Sequence, residues 1–498
     1  MKRNNQFQIF IIFLFVWCGS ACNKMDETVY SNVMVDNYYK SAGDAEAALV
    51  AAYAPLADLY SLSANLISAD FQDDQTWAKP VVGRNVYPLF TYDPDYSAQK
   101  SFGRELEGPY GVWRYCYKGI ENANWVLEKV PAIDMDPVRK DAILGEALFL
   151  RGYYYFTLGR AFGDVVLRTT VSRKETDTYV PKSSQAEVFG QVMADVQSAA
   201  SKLPSYGVAT VKGRPTKEAA IALHAKTALY AENWQLAKEK ALEVINSGKY
   251  ALLPNVVDLY DVNKEDLARL EVMFAFEGDN GNISEYSNMM GLCGPANSAG
   301  RDYGNSTFGS IFAYQVFFDS FNPSDERRLM LDTFFVNRAG VVVHQKDIIP
   351  FSPNAVLIKK YMDKNSNGAR CRNNVPILRL ADMYLIVAEA EARLNGPTLL
   401  AYQNINIVRS RASIPDLDPL LNKEQFIEAV LQERGWEFFA EGDRWYDLTR
   451  TNTFMTKIPL AVDVVYPVRT PQPKHRYFPI PLDEIRANPV LEQNPAWN

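Results

Sequence analysis

Apolar residues recur at helical spacing along most of this chain, and the pattern is densest at Gly145–Val165, GEALFLRGYYYFTLGRAFGDV. Asp136-Pro137 just upstream supplies an N-cap and a proline for the first helical position, and Gly163 supplies a stop. The helix between them is apolar on nearly every face and is interrupted by Glu146, Arg151 and Arg160. Such a helix is either fully buried or in a membrane. Its capping signals and three ionisable groups predict burial in a soluble core, with the arginines paired to acids of neighbouring helices.

Other helices follow from the same signals. Ser41 and Asp44 form a capping-box pattern before an Ala-rich helix through Tyr60 that carries Pro55. Tyr110–Val130 places Trp113, Tyr117, Ile120, Asn124 and Leu127 on one face, and Ser184 with Glu187 opens a helix ending at Pro204. A helical hairpin is predicted from Thr216 to Gly248, turning at Asn233-Trp234, with Ala222, Ala225 and Ala237 small enough for close approach. This loosely meets the tetratricopeptide pattern, and it recurs where Ala388 and Ala401 take the places of Ala225 and Ala237. The copies stand more than 160 residues apart (Ala225 to Ala388), which argues against a continuous solenoid.

Between the copies, Glu277–Asn374 is rich in Gly, Asn and Ser and reads as irregular structure inserted into a helical scaffold. A second such stretch covers Thr453–Tyr477, and Phe478–Pro495 reads as an extended arm with one helical turn. The segment from SADFQDDQTW (Ser68–Trp77) to Pro109 is long, irregular and aromatic, as functional loops often are. The expected fold is all-α, with long loops and a few short strands.

The N-terminus changes the picture of where the chain resides. Lys2 and Arg3 precede the apolar run Ile9–Trp17, which is too short to span a bilayer and reads as the core of a signal peptide, residues 1–21. Gly19, Ser20 and Ala21 lead into Cys22 in a pattern that resembles a lipobox, although Gly19 replaces the usual branched aliphatic. Lipidated Cys22 would then begin a tether through residue 35, whose Lys24, Asp26 and Glu27 resemble an export tag. The mature domain spans 36–498, with an N-terminal helical part to about 270 and a C-terminal part from 271.

Composition narrows the partners. Aromatics make up 12% of the residues, enough to fill a core and leave rings for a binding surface. Net charge is −7, or −9 once Lys2 and Arg3 leave (50 basic less 59 acidic), so no basic stripe exists to neutralise a nucleic acid. Cys116, Cys293 and Cys371 are too few for a disulfide scaffold. Cys116 belongs to the core, and a Cys293–Cys371 bridge is open.

No catalytic constellation stands out. His224, His344 and His475 lack metal-ligand spacing, and HExxH, GxSxG, the phosphate loop and the dinucleotide fingerprint are absent. A glycosidase pair stays open, because two carboxylates need only meet in space. The acid-rich stretch Glu433–Arg450 also carries Arg434, Arg444 and Arg450 at helical spacings, and an internal salt-bridge network explains it better. KKYMDKNSNG (Lys359–Gly368) begins like a calcium loop, but its twelfth position is Asn374 rather than Glu. A tight Asx-rich turn after a strand explains it. Calcium is the one cofactor left open, and no metal ligand is assigned.

Taken in order, several stretches resemble the SusD/RagB surface lipoproteins. They are the Tyr110–Val130 helix, FLRGYYYFTLGRAFGDV, NPSDERR (Asn322–Arg328), KKY followed by an acid, LRLADMYLIVAEA, RSRA (Arg409–Ala412), ERGWEF with EGDRWYDLTR, and the FPIP…NP…QNP ending. The resemblance implies a SusD-like α-helical fold with tetratricopeptide-like pairs. It also implies an outer-membrane location through the lipid anchor, and a non-catalytic role as lid of a SusC-like TonB-dependent transporter that receives a glycan. A peptide or other nutrient, or a scaffold lid with little ligand affinity, are the alternatives, with a glycan hydrolase behind them. Sugar recognition needs aromatic faces flanked by hydrogen-bonding polar groups. Asp73, Asp74 and Trp77, with Gln75 beside them, are candidates from the place where family members contribute ligand contacts. Tyr92 and Tyr96 come from the aromatic loop, and Arg301, Tyr303 and Asn305, beside Asp302, from the inserted region. The motifs identify the scaffold and leave the ligand open.

Overall fold

The structure, a computed structural model, describes residues 38–61, 64–207, 210–279, 281, 286–298, 300–348 and 354–498. The signal peptide, Cys22 and the tether to residue 35 lie outside the described residues. Ser41–Asn498 forms one compact unit.

Helix α1 (Ala42–Ser61) opens on the expected capping box. Asp44 Oδ2 accepts from the Ser41 N–H at 2.8 Å, and the Asp44 N–H donates to Ser41 Oγ at 3.3 Å. The short α2 (Ala64–Asp70) and strand β1 (Thr76–Ala78) follow, then α3 (Pro109–Lys129) and α4 (Pro137–Phe162). Helix α4 is the predicted central helix. Asp136 caps it by accepting from the Arg139 N–H, and every residue from Phe149 to Phe162 is buried. Gly119 of α3 is required here, since a Cβ at that position would come within 2.2 Å of the Tyr154 ring.

Helix α5 (Gln185–Lys202) carries the Ser184–Glu187 capping box, and α6 (Lys217–Tyr230) and α7 (Trp234–Asn246) form the first hairpin. Thr216 and Asn233 cap the hairpin helices, and Ala222, Ala225 and Ala237 are fully buried at their contact. Strands β2 (Val272–Phe276) and β3 (Ile311–Ala313) lie either side of residue 277, and β4 (Val375–Arg379) leads directly into α8 (Leu380–Asn395). The second hairpin pairs α8 with α9 (Leu399–Arg411), and α10 (Lys423–Phe438) and α11 (Arg444–Arg450) follow.

The helices stack as a spatial series in which each packs on the next, α3 on α4, α4 on α5, and so on through α9. This corrects one expectation from sequence. The second helix pair docks directly on α7, so the array is continuous in space although its halves are far apart along the chain. The reason is the pairing of β2 with β4, antiparallel with Val375 opposite Phe276. That pair closes the neck of the Glu277–Asn374 insertion and returns the chain to the end of the array. All strands among the described residues form two-stranded antiparallel sheets of this kind.

Glu146, Arg151 and Arg160, the three charged groups in the apolar part of α4, are all paired. Arg151 makes a two-pronged contact with Asp195 of α5 at 2.8 and 2.7 Å, and Glu146 accepts from Arg139 and Arg214. Arg160 reaches Asp443 at 2.8 Å, and Asp443 also binds Lys226 of α6 at 2.6 Å. Lys226 continues to Asp382 of α8, which binds Arg434 of α10, which binds Asp447 of α11. A second set surrounds Glu437. It accepts from Arg327, Arg379 and Arg411, while Glu433 accepts from Arg327 and Arg409 and Glu441 from Arg379 and Lys360. The acids Glu433, Glu437, Glu441 and Asp443 are thus consumed by ion pairs, but with cations from outside Glu433–Arg450; within the stretch only Asp447 pairs, with Arg434 and Arg450, which corrects the expectation of an internal network.

Burial alone would raise the Glu437 carboxyl, but Arg411, Arg379 and Arg327 outweigh it and hold the group well below the usual carboxylate range. A depressed carboxylate contributes stability above its unfolded value and loses it as pH falls towards its folded value. Glu437→Gln leaves buried guanidinium groups short of an acceptor charge. It is expected to cost about 3–5 kcal/mol at pH 7 in urea unfolding. The cost should shrink below about pH 4, where the unfolded-state glutamate is itself protonated. A loss under about 1 kcal/mol at pH 7 would show that the network contributes little.

Candidate functional site

The sequence-predicted residues separate into two groups. In the first, the SADFQDDQTW segment turns from α2 into β1, and its side chains point inward. Trp77 is 0% exposed, stacked on Phe312 at 4.8 Å between ring centres and edge-on to Tyr466. It therefore has no open face for a sugar ring, because the pairing of β1 with β3 sets Trp77 opposite Phe312. Asp73 is buried too, its Oδ1 accepting from the Gln75 and Thr76 N–H groups in a tight Asx turn. Asp74 is held by Arg444 through two contacts of 2.7 Å at the edge of a small cavity of about 130 Å³, which Gln75 also lines. Tyr92 and Tyr96 are buried against the C-terminal arm. Tyr92 packs on His475, Phe478 and Trp497, and the Tyr96 hydroxyl donates to the Pro479 carbonyl. The long aromatic loop thus clasps the tail, and Trp77, Asp73, Tyr92 and Tyr96 are corrected to packing residues.

The second group lies on a seam between two loops of the insertion, residues 286–310 and 359–373. Gly304 is what allows the loops to touch. At φ +145 a Cβ there would stand 2.2 Å from Met290 sulfur, 2.8 Å from the Asp363 carbonyl and 2.9 Å from Ser366 Oγ. The Asn305 N–H donates to Ser366 Oγ at 2.9 Å and its side-chain amide to the Ser366 carbonyl, while Asp302 pairs with Lys364 at 3.1 Å. Arg301, Asp302, Asn305 and Lys364 are all exposed. Tyr303, by contrast, points inward and is buried, a further correction that follows from the alternation of side chains along an extended loop.

Asp302 and Lys364 stand on the wall of a cleft of about 360 Å³, which Asp261, Asn263, Lys359 and Arg372 complete. Carboxylates, amides and ammonium groups at its surface both donate and accept hydrogen bonds, as a hydroxyl-rich ligand requires. Phe308, 44% exposed and near Ala369 across the seam, supplies an apolar face, and Arg370 lies over the Tyr286 ring at 5.0 Å. Reasoning from sequence missed Phe308, Lys364 and the cleft residues. The Gly- and Asn-rich insertion flagged the region, and nothing local said which of its rings face out.

The Asp363 turn has the shape read from its Asx residues. Asp363 Oδ1 accepts from the Asn365 N–H at 3.0 Å and from Arg372 Nη2 at 2.8 Å, and Oδ2 from the Arg372 N–H. Burial would raise this carboxyl, and the Arg372 hydrogen bonds overcome that and lower it. The Arg372 guanidinium pairs with this carboxylate at 2.8 Å. Cys293 and Cys371 are separate buried thiols rather than a bridge, and Cys116 is a core thiol.

Trp77→Ala is expected to cost about 3–5 kcal/mol in chemical unfolding, as truncation of a buried aromatic does. Retained stability would mean the ring is free and the stacking role is restored. Asp73 titrates differently from Glu437. Burial, then the nearby Asp74 charge, pushes its carboxyl up to about 7. A folded value raised above the unfolded one means stability falls as pH climbs from about 4 to 7. Asp73→Asn keeps the Oδ1 acceptor, so it should raise Tm by about 2 °C at pH 8 with little change at pH 5. A uniform shift at both pH values would contradict the assignment.

Comparisons with known proteins agree with this architecture. A family model described as "SusD family" matches residues 344–497, and one described as "Starch-binding associating with outer membrane" matches residues 23–229. SusD-like protein P25 of Formosa agariphila is 28% identical, the alignment covering 98% of each chain. Among solved structures, a SusD homolog from Bacteroides thetaiotaomicron superposes with a TM-score of 0.79 at 23% identity, covering 93% of this chain and 98% of that one. A laminarin-binding SusD-like protein gives 0.75 at 23% identity, covering 92% and 100%. The mainly helical fold, the buried arginine–acid framework and these matches at both ends of the chain have one reading: the chain belongs to the SusD family.

Proposed function

We propose that this protein binds a glycan, an oligo- or polysaccharide, at the seam and cleft formed by Arg301, Asp302, Asn305, Phe308 and Lys364. It delivers the ligand to a SusC-like TonB-dependent transporter, for which it acts as lid, and performs no chemistry on it. A lipid on Cys22 holds it to the outer membrane, facing the exterior. The observation that carries the ligand reading is the cleft on whose wall the paired Asp302 and Lys364 stand, with the exposed ring of Phe308 on the same loop as Asp302. The Phe308 face suits the apolar side of a pyranose, and Asp302, Asn305 and Lys364 suit its hydroxyls. The ligand class is supported by neighbours of the same fold, which include laminarin-binding and surface glycan-binding proteins, and the outer membrane by the matching family model.

Isothermal titration against a panel of polysaccharides, with a peptide pool alongside, tests the reading. A glycan should bind, and Phe308→Ala should weaken it about tenfold, the equivalent of about 1.4 kcal/mol. Unchanged affinity in both Phe308→Ala and Asp302→Ala would remove the site from the seam. Binding of peptide alone would replace the ligand class. Flat isotherms throughout, beside a stable transporter complex on co-purification, would leave a lid without a ligand. New reducing ends would make it a hydrolase.

A further inference from the structure

The two loops of the seam, residues 286–310 and 359–373, carry six cations against two acids, Asp302 and Asp363, in a chain whose net charge is −7. Four of the six are matched. Lys364 pairs with Asp302, Arg372 with Asp363, Lys359 with Asp332 and Lys360 with Glu441. Arg301 and Arg370, one on each loop, enter no ion pair among the described residues. Asp261 also lines the cleft, but it lies outside the loops and accepts from the Asn263 N–H and side-chain amide at 2.9 and 3.0 Å. The surplus of positive charge stands on the seam.

Both arginines are reachable from solvent, Arg301 being exposed and Arg370 half-buried, and both are held in place by something other than an acid. Arg370 lies over the Tyr286 ring at 5.0 Å, a contact made with the guanidinium face, so its N–H edge keeps its donors. Arg301 packs on the turn of the hairpin formed by Phe334–Val336 and Val342–His344, where a Cβ at Gly340 would stand 3.0 Å from its Nη2. The same turn brings up a third cation. Arg338, exposed and in no ion pair among the described residues, donates its N–H to the Asn297 carbonyl at 2.7 Å. In the scaffold, fixed arginines such as Arg151 and Arg327 are fixed by carboxylates, which use up the charge. On the seam the charge is placed and left uncompensated.

The exposed ring of Phe308 belongs to the same surface. It is on the loop of Arg301, and it meets Ala369, the neighbour of Arg370 in the chain, over Gly291. A Cβ at Gly291 would stand 3.0 Å from the Phe308 ring and 3.3 Å from the Ala369 Cβ. A pyranose laid on Phe308 offers its apolar face to the ring and its substituents around its edge. Where those substituents are hydroxyls, Asp302, Asn305 and Lys364 suffice. A carboxylate or a sulfate ester at that edge accepts two parallel N–H groups from one guanidinium, which an arginine supplies and a hydroxyl does not need.

We propose that the ligand of this site is an anionic polysaccharide, whose carboxylate or sulfate oxygens are held by Arg301 and Arg370 while Phe308 stacks on a pyranose. The inference rests on the glycan reading and narrows its substrate class. A local positive surplus on a negatively charged protein also steers such a polymer to the seam rather than to the rest of the surface.

Titration of the mature protein with neutral polysaccharides (laminarin, dextran), polyuronates (polygalacturonate, alginate) and sulfated ones (chondroitin sulfate, dextran sulfate) separates the outcomes. The tightest binder should be anionic, by about tenfold or more over the best neutral one, and the uronate and sulfate arms tell which oxyanion it carries. Raising sodium chloride from about 50 to about 500 mM should weaken that binder about fivefold. Arg301→Gln and Arg370→Gln should each weaken it about fivefold, with thermal unfolding confirming that both variants fold. Removing the same charge from the start of α6, by Lys217→Gln, should change nothing. A neutral glycan bound as tightly as the best anionic one would overturn the inference and leave the glycan reading standing. Indifference to both arginine variants, or an equal loss in Lys217→Gln, would do the same. Binding of no glycan at all would remove both.

Discussion

The requirement that every buried charge find a partner organises this molecule. Arg160 sits near the end of a helix that is otherwise apolar, and burying a lone guanidinium would cost several kcal/mol. Its partner Asp443 lies 283 residues further along the chain, and Asp443 in turn needs Lys226. Lys226 binds Asp382, Asp382 binds Arg434, and Arg434 binds Asp447. Helices from both halves of the chain are therefore tied through one alternating series of charges. Buried ion pairs of this kind are poor sources of net stability, and their value lies in specificity. A register shift of α8 against α6 would strand Lys226 or Asp382 unpaired. The network thereby penalises misdocked arrangements that apolar packing alone would tolerate.

The same constraint accounts for which parts of the fold were legible in the sequence. Capping boxes at Ser41 and Ser184, the Asp136-Pro137 start and the Gly163 stop are local chemistry, and each appears where the residues place it. That the charges of Glu433–Arg450 would be neutralised was legible, because charges without partners cannot be buried, but the partners were not, since most lie outside the stretch. Docking of the second helix pair on the first was not legible. It depends on the β2–β4 pairing across the neck of a 98-residue insertion (residues 277–374), and no local pattern encodes contacts between segments so far apart. Chain separation was a poor guide to spatial separation.

Trp77 shows the same limit at the level of one side chain. In the sequence it is a tryptophan next to two aspartates and a glutamine, which is a fair description of a sugar platform. What buries it is a three-residue strand pairing with Ile311–Ala313, more than 200 residues away, that sets Phe312 on its ring. Phe308 lies only four residues from that phenylalanine and faces out. Alternation along an irregular loop is set by turns such as the one at Gly309, whose φ of +54 redirects the chain, and by close approaches such as Gly304. Composition flagged the aromatic loops and could not say which of their rings faces out.

Scaffold and exposed seam accordingly answer to different physics. In the scaffold, side chains must satisfy one another in a medium that forgives neither an unpaired charge nor a void, so residue type carries structural meaning. On the seam, Arg301, Asp302, Asn305 and Lys364 are solvated, and exposed pairs such as Asp302–Lys364 contribute little to stability. Their identities are not fixed by packing. That division explains why the family is readable from motifs such as FLRGYYYFTLGRAFGDV and EGDRWYDLTR, which face inward, while the ligand is not.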